Sequence, residues 1–118
     1  MSASAWTLTS RAGSHVEREQ LESLEAALDA LARRVAALAP EASREEVQFL
    51  SRRIEPRQQV AARVEIAGPR GLRRGVRGGV DLRGDGSAEA FTGRVRRTVI
   101  EQQGGESAAE ALRRVLAT

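Results

Sequence analysis

The chain has 118 residues, with 19 basic and 16 acidic side chains, one histidine and no cysteine or tyrosine, for a formal net charge of +3. That length fits one domain able to bury a core without staples. The missing thiols exclude disulfides, thiolate metal sites and cysteine nucleophiles, and they fit a reducing, cytoplasmic home.

All 19 cations are arginine. Residues 1–51 carry a net −3, residues 52–100 a net +7 and residues 101–118 a net −1. A basic middle between acidic ends has two readings. The ends neutralise the middle inside the fold, or the middle offers an exposed face to an anionic partner. The longest apolar run, Val35–Ala39, is far short of the ~20 residues of a membrane span. The first residues also lack the pattern of a secretory leader. Neither a membrane partner nor export is expected.

Residues 4–10 alternate apolar and polar, so a short strand carrying Trp6 and Leu8 is expected at the start. Ser14-His15-Val16-Glu17 then has the spacing of a capping box. Leu21, Leu24, Leu28, Leu31, Val35 and Leu38 follow at alternating spacings of three and four. This predicts an amphipathic helix over about 15–39, stopped by Pro40. A second box, Ser43-Arg44-Glu45-Glu46, predicts a shorter helix with Val47, Phe49, Leu50 and Ile54, ended by Pro56. A third, Ser107-Ala108-Ala109-Glu110, opens a C-terminal helix with Leu112, Val115 and Leu116.

Between the second and third boxes the period changes to two. Val60, Ala62, Val64 and Ile66 form one alternating set, and Val76, Gly78, Val80 and Leu82 another. Phe91, Gly93, Val95 and Val99 form a third. Gly68-Pro69 and Asp85-Gly86 supply the breaks. The expected fold is therefore a single α+β domain over 1–118. Residues 1–40 hold a strand, which could extend the sheet as a fourth, and a long helix, separable as an arm, and residues 41–118 run helix, three-stranded antiparallel meander, helix.

A two-residue turn at Asp85-Gly86 would set Val80 against Phe91, Gly78 against Gly93 and Arg77 against Arg94. Like charges facing each other are destabilising unless solvated or bridged by an anion. Arg77, Arg83, Arg94 and Arg96, with Arg63, are therefore the candidate anion-binding or nucleic-acid-binding group. Arginine suits that work because its planar fork meets phosphate or carboxylate oxygens in pairs.

The glycine-rich run Gly68–Gly79 lacks the lysine of a phosphate loop and leads into a strand rather than a helix, so it is not one. An RGG-like role for it is weakened by the chain's three aromatics, Trp6, Phe49 and Phe91. Asp81, Asp85 and Glu89 lack the spacing of a calcium loop, and His15 stands alone. No catalytic residue, cofactor or metal is expected. The order helix, three strands, helix over about 43–117 is similar to that of double-stranded-RNA-binding domains. Those domains begin their last helix with a basic cluster, whereas Gly104–Glu110 is acidic here, so the chain is not assigned to them.

The functional expectation is a non-enzymatic binding module, its partner a nucleic-acid backbone or an acidic protein surface. The alternative is an assembly component that forms homo-oligomers through Leu21, Leu24, Leu28, Leu31, Val35 and Leu38 as a coiled-coil seam.

Overall fold

The computed structural model describes residues 5–50, 60–69, 76–93 and 96–117, with the stretch 41–50 described by its backbone. The chain forms β1 (Trp6–Ala12), β2 (His15–Leu21), α1 (Leu24–Leu50), β3 (Val60–Ala67), β4 (Arg77–Arg83), β5 (Ala88–Thr92), β6 (Thr98–Ile100) and α2 (Ala108–Leu116). All six strands join one antiparallel sheet in the order β2-β1-β3-β4-β5-β6. The α+β class holds, but a three-stranded meander with two preceding helices does not. Strands β3 to β5 are the centre of a wider sheet, and one long helix stands where two were expected.

The first correction lies at residues 13–21. The Ser14–Glu17 box caps nothing, because His15–Leu21 is a strand paired to β1 from Ala12↔His15 to Trp6↔Leu21. Gly13 takes φ 62 in the two-residue turn, a left-handed conformation that glycine adopts without penalty. The helix starts later, where the Ser23 hydroxyl accepts a hydrogen bond from the Ala26 amide at 3.1 Å.

The second correction lies at Pro40. The proline sits inside α1 rather than ending it, and the backbone stays helical to Leu50. Ser43 therefore starts no separate helix, while Ile54 and Pro56 lie outside the described residues. The Ser107 box forms as read. The Ser107 hydroxyl accepts from the Glu110 amide at 3.1 Å, and Glu110 accepts from the Ser107 amide at 2.8 Å.

The third correction is the β4–β5 register. Arg83 rather than Gly84 pairs with Ser87, through an amide-to-carbonyl bond of 2.9 Å. The turn therefore has three residues, closed by Gly86 at φ 90. The Asp85 carboxylate reinforces it by accepting from the Ser87 amide and hydroxyl. Val80 now faces Ala90 and Gly79 faces Phe91. Arg77 meets Gly93 through the Gly93 amide, not Arg94, which lies outside the described residues. This one-residue slip turns Phe91 to the opposite side of the sheet from the one its alternation suggested.

Both helices cover one face. Leu28 and Leu31 of α1 and Ala111 and Leu112 of α2 pack with Leu8, Val64, Ile66, Val80, Ala90 and Ile100. Fully burying one such aliphatic side chain contributes roughly 1.5–3 kcal/mol. Gly78 lets α2 lie close, since a side chain there would meet Leu112 at 2.8 Å. Ion pairs tie the layer together. Arg113 of α2 reaches Glu25 and Asp29 of α1, and Arg34 of α1 reaches Glu17 and Glu19 of β2.

Candidate anion-binding face

The other side of the sheet carries no helix among the described residues. Strand alternation sends the odd residues of β1, β3, β4 and β5 and the even residues of β2 to it. One cross-strand row reads Arg18, Thr9, Glu65, Gly79, Phe91, Val99, and the next reads Val16, Arg11, Arg63, Asp81, Glu89. Arg77 follows in a third row beside Ala67.

Phe91 organises the centre of this face. It is only 3% exposed although it lies on the side away from the helices. Gly79, directly opposite, leaves room for its ring; a side chain at 79 would come within 2.9 Å of the Phe91 Cζ. Two guanidinium groups cover the ring. The central carbon of Arg97 lies 4.6 Å from the ring centroid and that of Arg63 lies 5.7 Å away. Cation–π contacts of this kind contribute roughly 0.5–2 kcal/mol, most where water is excluded.

Three carboxylates tether three of the arginines. Arg63 holds Asp81 through Nε at 2.5 Å and a second nitrogen at 3.2 Å, a two-point contact. The Asp81 carboxylate holds the Arg63 guanidinium above its ordinary range, against the opposing effect of burial. Asp81 itself is 7% exposed and fully partnered. Arg83 pairs with Glu89 at 2.6 Å, and Arg97 pairs more loosely with Glu65 at 3.7 Å.

The residues expected from sequence divide in three. Arg63, Arg77 and Arg83 do share a face. Arg96 is exposed in the connection between β5 and β6, and Arg94 is outside the described residues. Arg77 is exposed and makes no ion pair among the described residues, whereas Arg63 and Arg83 are committed to Asp81 and Glu89. Sequence reasoning missed Arg11, Arg18 and Arg97. Arg18 was hidden by the helical reading of about 15–39, and Arg11 by the strand being expected to end at residue 10. The Gly13-Ser14 pair directly after the alternating segment 4–10 was the signal for a turn there.

The expected oligomerisation residues are used within the chain. Leu28 and Leu31 are buried, and Leu21, Leu24, Val35 and Leu38 pack partly buried against the same core. Leu21 belongs to β2, not to the helix. Among the described residues no three His, Asp or Glu side chains gather to hold a metal ion. No described helix is long and apolar enough to cross a membrane. Compared with known proteins, the chain matches no family model, no curated protein and no solved structure.

Proposed function

We propose that the protein is a non-enzymatic binding module whose arginine-bearing sheet face meets an anionic partner. The observation that carries this reading is a charge imbalance. Among the described residues, Arg11, Arg18, Arg63, Arg77, Arg83 and Arg97 share that face with only Glu65, Asp81 and Glu89. The internal pairs hold the central guanidinium groups in place, so little side-chain freedom is lost when a partner arrives. The exposed Arg11, Arg18 and Arg77 supply the uncompensated charge. The opposite side keeps its acids against the helices, where Arg34, Arg113 and Arg114 neutralise Glu17, Glu25, Asp29 and Glu106.

Heparin-affinity elution and anisotropy titrations with a labelled polyanion test the reading. Binding should weaken steeply as salt rises from low to physiological strength. Replacing Arg11, Arg18 and Arg77 together by Gln should abolish it while leaving the far-UV spectrum unchanged. A wild-type chain that passes heparin at low salt without retention overturns the proposal.

A further inference from the structure

We propose that the anion-binding face takes single-stranded nucleic acid, with one base laid on the outward side of the Arg97 guanidinium above Phe91 and the backbone drawn to Arg18, Arg11 and Arg77. This rests on the face being an anion-binding surface and goes further by naming the polymer. The Phe91 ring is itself covered, so a base meets the guanidinium that lies over it, at 4.6 Å from the ring centroid. The Arg97 guanidinium lies over the ring and is itself exposed to the surroundings, and guanidinium planes of this kind stack bases. Of the three arginines on this face that pair with a carboxylate, Arg97 is the least committed. Its pair is the longest of the three on this face, 3.7 Å against 2.5 and 2.6 Å.

Val99 pairs with Phe91 across β5 and β6 and is 57% exposed, an apolar shoulder beside the stack. A base covers that shoulder favourably, whereas a phosphate or carboxylate does not. The charges also suit a polymer rather than a small anion. Arg18 lies four strand spacings from Phe91 along one row, about 19 Å at ~4.8 Å per strand. A duplex keeps its bases inside the stack and has none to lay on Arg97. An acidic peptide brings charge but no flat ring.

The test is fluorescence anisotropy on the full chain with three labelled probes: oligo(U) of about twelve nucleotides, an RNA duplex of equal length, and oligo-glutamate. Oligo(U) should bind about tenfold tighter than either other probe. Arg97→Lys, which keeps the charge and loses the plane, should weaken oligo(U) by about tenfold with an unchanged salt slope. Arg77→Gln should lower the salt slope by about 0.7, and Arg33→Gln on the exposed side of α1 should change nothing. If the duplex binds as tightly as oligo(U), or Arg97→Lys behaves as wild type, the single-strand assignment falls and the anion-binding face stands. If none of the three probes binds at low salt, both fall.

Discussion

Gly79 lies directly across β4 and β5 from Phe91, and the missing side chain at 79 is what lets the ring lie down on the sheet. A β-carbon at 79 would come within 2.5 Å of the Val64 carbonyl oxygen and 2.9 Å of the Phe91 ring. The first of these is backbone in a central strand and cannot swing away. Gly79→Ala should therefore destabilise the fold by about 1–3 kcal/mol through overpacking. Urea denaturation reads this directly, and a midpoint equal to wild type would mean that the close approach is not real.

The cation–π contact of Arg97 with Phe91 should appear as a coupling energy. Phe91→Ala removes a ring that is 3% exposed and should cost about 3 kcal/mol or slightly more. Arg97→Ala should cost far less, since its pair with Glu65 is partly exposed and long. In a double-mutant cycle the two losses should fall short of additivity by about 0.5–1 kcal/mol. Strict additivity would show that the guanidinium and the ring do not interact.

What the sequence conveyed and what it hid follow from the kind of signal involved. The C-terminal helix was legible because Ser107 and Glu110 are three residues apart and their hydrogen bonds are local. The same residue pattern at Ser14 and Glu17 misled, because β1 offered residues 15–21 a sheet edge and tertiary pairing outweighed a local cap. The face of Phe91 depended on turn length alone. Asp85-Gly86 suits a two-residue turn, but Gly84 extends it to three, and one residue inverts β5. That Arg63, Arg77 and Arg83 share a face needed only the parity of β3 and β4, so it was legible. Arg97 sits outside any strand and is placed by the ring it covers, so no periodicity could announce it.

Pro40 is a helix-interior proline, with α1 continuing ten residues beyond it to Leu50. It has no amide hydrogen, so the carbonyl four residues earlier, on the exposed Ala36, lacks its helical donor. Pro40→Ala restores that bond and removes the clash with the ring. It should raise helical ellipticity at 222 nm and stabilise the chain by up to about 3 kcal/mol. An unchanged spectrum together with an unchanged midpoint would contradict a continuous α1.

Glu106 should govern part of the acid sensitivity. It receives Arg114 at two points, Nε at 2.8 Å and a terminal nitrogen at 3.0 Å, and also accepts from the Gln103 amide at 3.0 Å. Arg114 first, and the Gln103 amide second, hold its carboxyl below the usual glutamate range. A carboxylate whose folded pKa is lowered stabilises the fold fully above its unfolded value of about 4.3. That contribution disappears as pH falls through the lower folded value, because the native state must then take up the proton it had excluded. Glu106→Gln should therefore be less stable than wild type at neutral pH, with the gap closing as pH drops below about 4. Urea midpoints of both proteins at neutral and acid pH measure the gap, and one that stays constant with pH would assign Glu106 a packing role rather than an ionic one.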